Sequence, residues 1–109
     1  MRFDKEGNAE ETHREYSAAA REVAANNNAP LIDLDARSRE LIQQMGAANA
    51  KLLFMQLDSM EHPNYPAGQK DNTHFNEYGA RRMAELVLAE MKKWPLELNK
   101  HIIGAAVKN

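Results

Sequence analysis

The stretch YSAAAREVAANNNAPLIDLDARSRELIQQMG, residues 16–46, decides the fold class because its hydrophobic pattern changes from that of a helix to that of a strand and back. Thr12 and Glu15 have the Thr-x-x-Glu spacing of a capping box, which predicts a helix that begins at Thr12. Apolar and small side chains recur there at helical spacing and form one narrow stripe, namely Tyr16, Ala19, Ala20, Val23 and Ala24. We therefore expect this helix to lie close against another layer.

A short apolar run, PLIDL at residues 30–34, predicts a brief buried strand. The segment that follows, DARSRELIQQMG at residues 35–46, predicts a second helix with Asp35 as its N-cap and Gly46 as its stop. Its buried side is expected to carry Leu41, Ile42 and Met45. A succession of helix, strand and helix indicates an α/β layer fold.

The second half of the chain contains one strongly periodic segment. Residues 47–55 fit either a short helix, which we favour, or a run that leads into a buried strand. Residues 56–70 contain two prolines and a glycine and predict a long loop, and loops of this length often form functional rims. A helix with one apolar face is predicted to follow the polar stretch at residues 71–80, and Pro95 ends it. The residues of that face are Met83, Leu86, Val87, Met91 and Trp94.

Composition excludes several classes of partner. The 109 residues are about one domain long, and their net charge of −2 is spread over interspersed acidic and basic side chains. Nucleic acid and anionic membrane surfaces are therefore poorly supported as partners. The chain has no cysteine, which excludes disulfides and thiolate metal sites. No apolar run approaches the roughly 20 residues of a membrane span, and the first residues lack a signal-peptide core, so we expect a soluble chain.

The polar stretch DNTHFNEYGA, residues 71–80, contains the residues best suited to chemistry. Three-residue spacing in a turn lets the Asp71 carboxylate accept a hydrogen bond from His74 Nδ1, which fixes the imidazole tautomer and leaves Nε2 free. Such a pair suits a general base that activates a serine nucleophile in acyl transfer. By itself, however, the spacing more often marks an Asx turn beside an exposed histidine.

The longer stretch DNTHFNEYGARRMAELV, residues 71–87, resembles the last conserved block of the SGNH (GDSL-type) hydrolases, in which an Asp-x-x-His loop precedes a Gly-Ala pair and an amphipathic helix. The Asp-x-Thr-His form is typical of rhamnogalacturonan acetylesterases, and residues 16–46 resemble the preceding helix, strand and helix of those proteins. The resemblance implies a three-layer α/β/α, flavodoxin-like fold. Residues 1–109 would be its carboxy-terminal portion, mostly helical with one short parallel strand, and residues 1–11 would be flexible.

The resemblance also implies a role for each matching residue. Asp71 would be the triad acid and His74 the triad base of a serine esterase that removes acetyl groups from rhamnogalacturonan-type pectin. Gly79 and Ala80 would be the small pair that lets the last helix pack closely. The resemblance implies no cofactor and no metal. It does imply an extracellular or periplasmic location.

The nucleophile and the oxyanion hole of the family are not recognisable in this sequence. The chain has three serines, Ser17, Ser38 and Ser59. None of them stands in the Gly-flanked strand-to-helix elbow that exposes a nucleophile. We therefore expect the chain alone to be inactive. Its expected partners are an acetylated polysaccharide or oligosaccharide, together with either the missing amino-terminal half of the domain or a self-associated copy.

Two other hypotheses remain open at this point. The chain could be a non-catalytic helical interaction module that forms an oligomer through methionine-rich faces, although helical methionine more often fills a core. A metal site could instead be built from Asp58, His62, Asp71 and His74. Within the long loop, His62 and Tyr65 could face a sugar, but exposed loop residues are the simpler interpretation of both.

Overall fold

The computed structural model describes residues 1–104, which form three helices, two strands and two short 3₁₀ segments. The helices are α1 (Arg14–Asn26), α2 (Leu34–Ala50) and α3 (Glu77–Met91), the strands are β1 (Phe54–Leu57) and β2 (Gln69–Phe75), and the 3₁₀ segments are Lys51–Leu53 and Glu97–His101. The fold is thus mostly helical, and its sheet is a two-stranded antiparallel one. None of the helices within residues 1–104 is long and apolar enough to cross a membrane.

Helix α1 forms where the sequence predicts it, but neither its cap nor its packing follows the prediction. No side chain caps the helix, and Thr12 Oγ1 is instead hydrogen-bonded to His13 Nδ1 at 3.0 Å. The helix has no buried residue, with Tyr16 80% and Val23 61% exposed. The expected contact of its apolar stripe with another layer is therefore absent from the described residues. A pattern can predict which face is apolar but cannot supply the layer that covers it.

Ionic contacts join α1 to the start of α2. The guanidinium of Arg21 donates two hydrogen bonds to Asp33, at 2.7 and 3.1 Å, and a longer one of 3.3 Å to Asp35. Arg39, one turn into α2, donates to the same Asp35 carboxylate at 2.9 Å. These partly buried charges attract each other more strongly than fully solvated ones, so they stabilise the contact between the two helices.

Residues 30–33 do not form the predicted strand. They make a link between α1 and α2, because a strand needs a neighbour for its backbone N–H and C=O groups and residues 1–104 place none beside it. The N-cap of α2 is Asp33 and not Asp35 as predicted, since Asp33 Oδ1 accepts the hydrogen bond of Ala36 N at 3.0 Å. Neither the parallel strand nor the three-layer arrangement is formed within the described part of the chain.

The predicted stop at Gly46 is confirmed. Gly46 has φ 75° and ψ 165°, a left-handed backbone that favours glycine, and it breaks α2. Helical backbone resumes after Gly46 and passes through the 3₁₀ segment into β1. The short helix and the run into a strand, which were the two interpretations of residues 47–55, are therefore each correct for part of that range. The small core is formed here, from Ala50, Leu53, Phe54 and Met83.

Strands β1 and β2 form a hairpin around the long loop. Phe54 pairs with Phe75 and Leu57 pairs with Gln69, and the rings of Phe54 and Phe75 lie 5.0 Å apart. Both ends of the predicted 56–70 loop therefore belong to strands, and the loop itself is residues 58–68. Helix α3 confirms the predicted helix, although it ends at Met91, before Pro95, and it presents Met83 to the core. The helix packs tightly at the buried Gly79, where an added Cβ would stand 2.0 Å from the Leu53 carbonyl oxygen.

Candidate active site

Asp71 and His74 lie on a bulge in the middle of β2. Gln56 pairs with Lys70 and Phe54 pairs with Phe75, so two steps along β1 correspond to five steps along β2. Residues 71–74 consequently leave the ladder and form a loop at the edge of the sheet, which we call the Asp71–His74 loop. A bulge of this kind turns side chains out of the sheet and frees them for contacts of their own.

The Asp71 carboxylate organises this loop. Its Oδ1 accepts hydrogen bonds from the backbone N–H groups of Thr73 at 2.6 Å and His74 at 2.9 Å, and its Oδ2 lies 2.7 Å from His74 Nδ1. The Asx turn and the carboxylate–imidazole contact, which the sequence offered as alternatives, are therefore present together. One carboxylate can make both because it has two oxygen atoms, each with room for several donors.

These hydrogen bonds determine the charge state of the acid. They lower the pKa of Asp71 to about 2, chiefly through the backbone N–H of His74, then through the imidazole and the backbone N–H of Thr73. Asp71 is therefore ionised at neutral pH and can only accept hydrogen bonds, so Nδ1 of His74 must carry the proton. The unprotonated Nε2 of a neutral ring is then available to take up a proton.

Exposure differs sharply between the two side chains. Asp71 is 16% exposed, whereas His74 is 77% exposed. The carboxylate is thus held within the loop, while most of the imidazole is accessible to a reacting group. This is the arrangement that a general base and its orienting acid require, because the base must reach its substrate and the acid need not.

Two amide side chains that sequence reasoning missed hold the loop at its ends. Asn76 Nδ2 donates to the carbonyl oxygens of Leu52 at 2.8 Å and Phe54 at 2.9 Å, while its Oδ1 caps α3 by accepting from Gly79 N at 2.9 Å. Gln56 reaches the loop from β1. Asn immediately before a periodic segment is an N-cap signal that could have identified Asn76. No local pattern could have identified Gln56, which contacts residues 15 and 16 positions away.

A cavity of about 410 Å³ lies beside the loop. The side of the cavity nearest the loop is formed by Asn72, Thr73 and Phe75, and the other sides include His13 and Arg39. This size lies within the range of about 300–1,000 Å³ found for small-molecule sites, and the lining mixes an aromatic ring with hydroxyl, amide and charged groups.

The structure does not bring the other predicted ligands of a metal site to this loop. Within residues 1–104, no three His, Asp or Glu side chains are close enough together to hold a metal ion, so Asp58 and His62 do not join Asp71 and His74 in one site. The ring of His62 lies 5.6 Å from that of Tyr65 within the 58–68 loop, where His62 Nδ1 accepts from Asn64 N at 3.2 Å. His62 and Tyr65 are both exposed residues of this loop.

The serines occupy structural positions. Ser17 lies within α1. The hydroxyl of Ser38 donates to the Asp35 carbonyl oxygen at 3.1 Å in α2, and that of Ser59 donates to the Pro66 carbonyl oxygen at 3.1 Å in the loop. None of the three follows a strand and opens a helix, which is the geometry of a nucleophile elbow.

Comparison with known proteins places this loop in context. The chain is 40% identical over 103 residues to the rhamnogalacturonan acetylesterase RhgT of Bacillus subtilis (strain 168), across 94% of this chain and 44% of that protein. It is 33% identical over 89 residues to the probable rhamnogalacturonan acetylesterase YesY of the same strain, across 82% of this chain and 37% of YesY.

The chain therefore spans less than half the length of either relative. No family model matches it, and neither does any solved structure. Over most of its length the chain is nevertheless related to the rhamnogalacturonan acetylesterase-like hydrolases, which confirms the resemblance predicted from residues 71–87.

Proposed function

We propose that this chain supplies the base and the acid of a serine carbohydrate esterase that removes acetyl groups from a rhamnogalacturonan-type polysaccharide. The observation that carries the proposal is the 2.7 Å contact between Asp71 Oδ2 and His74 Nδ1 on an imidazole that is largely exposed. The names of the two relatives, both rhamnogalacturonan acetylesterases, support the choice of ester and substrate class.

In this mechanism His74 acts twice. Its Nε2 takes the proton of a serine hydroxyl as the serine oxygen attacks the acetyl carbonyl carbon, and then gives that proton to the sugar oxygen that leaves. An acetyl-serine remains. Water then attacks it while Nε2 takes the water proton and returns it to the serine, which releases acetate. Asp71 holds Nδ1–H throughout and stabilises the imidazolium that forms in each step.

The serine nucleophile and the oxyanion hole would lie in a portion of the domain outside this chain. Three features support the proposal that this chain is the carboxy-terminal portion of a three-layer α/β/α, flavodoxin-like SGNH domain whose other strands lie outside it. The apolar stripe of α1 is uncovered, the PLIDL segment is not in a sheet, and β1 pairs on one side with β2 in the described residues. An added parallel sheet would cover the stripe and give residues 30–34 a strand neighbour. By itself the chain would not hydrolyse esters.

The experiment joins this chain to the portion of RhgT that it does not match, to give what we call the combined protein. We expect the combined protein to release acetate from acetylated rhamnogalacturonan, and the 109-residue chain alone to release none. His74→Ala should lower kcat by about 10³-fold or more. His101→Ala, a matched control at an exposed histidine of the last 3₁₀ segment, should leave kcat unchanged. Equal rates for His74→Ala and the unsubstituted combined protein would refute the proposal.

One observation favours a second candidate, a non-catalytic module that oligomerises. Large apolar side chains are exposed on several different elements, among them Tyr16 on α1, Leu52 in the first 3₁₀ segment and Tyr78 on α3. A surface of this kind promotes association with another copy of the chain. Light scattering on the 109-residue chain and the acetate assay on the combined protein together separate the two candidates. If the chain is a non-catalytic module, light scattering should show a stable oligomer and the combined protein should release no acetate.

A further inference from the structure

The side chain of Gln56 connects β1 to the Asp71–His74 loop. Its Nε2 donates one hydrogen bond to the carbonyl oxygen of Asp71 at 2.9 Å and another to Asn72 Oδ1 at 2.6 Å. Within residues 1–104, no other side chain from outside the loop is hydrogen-bonded to residues 71–74, and the one further contact of this kind is the amino-terminal ammonium of Met1, which donates to the Asn72 carbonyl oxygen at 2.6 Å. Gln56 also lies opposite Lys70, at the point where the ladder between the strands breaks.

This location gives the amide a specific task. When residues 71–74 leave the ladder, the carbonyl of Asp71 loses the strand partner that a regular register would provide, and a backbone carbonyl without a donor is unfavourable. The Gln56 amide replaces that donor and also holds the Asn72 side chain. It thereby fixes the backbone of Asp71, and the direction of the backbone sets the direction in which the carboxylate meets His74.

The other end of the loop is fixed differently. Asn76 joins the carbonyls of Leu52 and Phe54 and caps α3, so its contacts stabilise the helix as well as the loop. Gln56 is only partly exposed, and within residues 1–104 its side chain donates no hydrogen bond to a helix. A change at Gln56 can therefore alter the orientation of the loop without removing the cap of α3.

We propose that Gln56 is a positioning residue for the Asp71–His74 pair, which it orients through two hydrogen bonds to the loop. The inference rests on the proposed function for its catalytic meaning, but the orientation of the pair can be measured on the 109-residue chain without any activity. Gln56 does not touch the reacting atoms. It acts through Asp71, whose carboxylate keeps the proton of His74 on Nδ1.

The first test uses the imidazole ¹⁵N chemical shifts of His74, which report the nitrogen that carries the proton. In the unsubstituted chain we expect Nδ1 to be protonated. Gln56→Met keeps the length of the side chain but removes the donor, and we expect a mixture of tautomers. Gln56→Lys retains a donor and should restore the Nδ1–H form. Gln69→Met, a matched change on the facing strand at a side chain without hydrogen bonds in residues 1–104, should have no effect.

The second test measures activity in the combined protein. Gln56→Met should lower kcat by about ten- to a hundred-fold with little change in KM, because a displaced base slows the chemical step more than it weakens substrate binding. Gln56→Lys should recover most of that loss. The proposal would be overturned if Gln56→Met kept the Nδ1–H tautomer of His74 and its kcat stayed within twofold of the unsubstituted value.

Two further results complete the design. If Gln56→Met does not fold, Gln56→Lys is compared with Gln56→Glu, which has a similar length but no donor at neutral pH; equal tautomer populations in these two variants would also overturn the proposal. If the unsubstituted combined protein is inactive, the proposed function fails, whereas the tautomer measurement on the 109-residue chain still decides the role of Gln56.

Discussion

Gly79 lies in the first turn of α3, where the helix crosses the 3₁₀ segment that precedes β1, and we expect Gly79→Ala to destabilise the protein strongly. The Cβ of an alanine there would stand 2.0 Å from the carbonyl oxygen of Leu53 and 2.8 Å from its carbonyl carbon. Real Cβ atoms essentially never approach another atom within 3.0 Å, so the helix must move by about 1 Å or more. The atoms in the way are backbone atoms, which cannot rotate aside.

The magnitude follows from three contributions. Overpacking of a tight contact costs about 1–3 kcal/mol. A shift of α3 also strains the hydrogen bond of 3.1 Å from Asn76 N to the Leu53 carbonyl, which is worth roughly 1 kcal/mol. Alanine regains at most about 1 kcal/mol of intrinsic helix propensity over glycine. Together these predict a loss of roughly 1–3 kcal/mol in the free energy of unfolding.

Urea denaturation followed by far-ultraviolet circular dichroism measures this loss. The urea concentration at the midpoint should fall, while the slope of the free energy of unfolding against urea concentration should stay unchanged. Ala80→Gly is the matched control at the next, exposed position, and it should lower the free energy of unfolding by no more than about 1 kcal/mol. Equal or higher stability of Gly79→Ala would show that α3 does not approach Leu53 as closely as described.

Three further predictions concern the loop and the ion pairs. Asn76→Ala should lower the free energy of unfolding by about 1–2 kcal/mol, measured by urea denaturation, because α3 loses its N-cap; an unchanged midpoint would contradict that role. Since the folded pKa of Asp71 is about 2 and its ordinary value is 3.8, its carboxylate should stabilise the fold above about pH 4 and lose that effect as the pH falls to 2. The stability difference between the unsubstituted chain and Asp71→Asn should therefore shrink across that interval, and a constant difference would argue against it. Arg21→Gln should speed amide hydrogen exchange in α1 but not in α3, because Arg21 joins α1 to Asp33. Exchange rates in α1 equal to those of the unsubstituted chain would refute this role of Arg21.

Local signals in the sequence predicted the features that depend on neighbouring residues. The stop at Gly46 requires only a backbone that favours glycine, and the apolar face of α3 requires only helical spacing. The contact between Asp71 and His74 likewise needs no more than three-residue spacing in a turn. The family resemblance predicts close packing at the pair Gly79 and Ala80; the structure confirms it for Gly79, whereas Ala80 is exposed.

Features that depend on distant residues could not be predicted in this way. PLIDL has the composition of a buried strand, but a strand forms only beside another one, and the described residues place none there. The pairing of β1 with β2 joins segments on either side of an eleven-residue loop whose prolines dominate the local pattern. Gln56 was missed because its role arises from a break in the register, which exists only once the two strands are paired.

The measurement that tests the central claim most directly is the kcat of the combined protein carrying Asp71→Asn on acetylated rhamnogalacturonan. An asparagine fills the same space but can present an N–H to Nδ1, which would favour the tautomer with its proton on Nε2. If an oriented imidazole is the base, kcat should fall by about 10³- to 10⁴-fold while the fold is retained. A kcat for Asp71→Asn within a few-fold of the unsubstituted value would contradict the account.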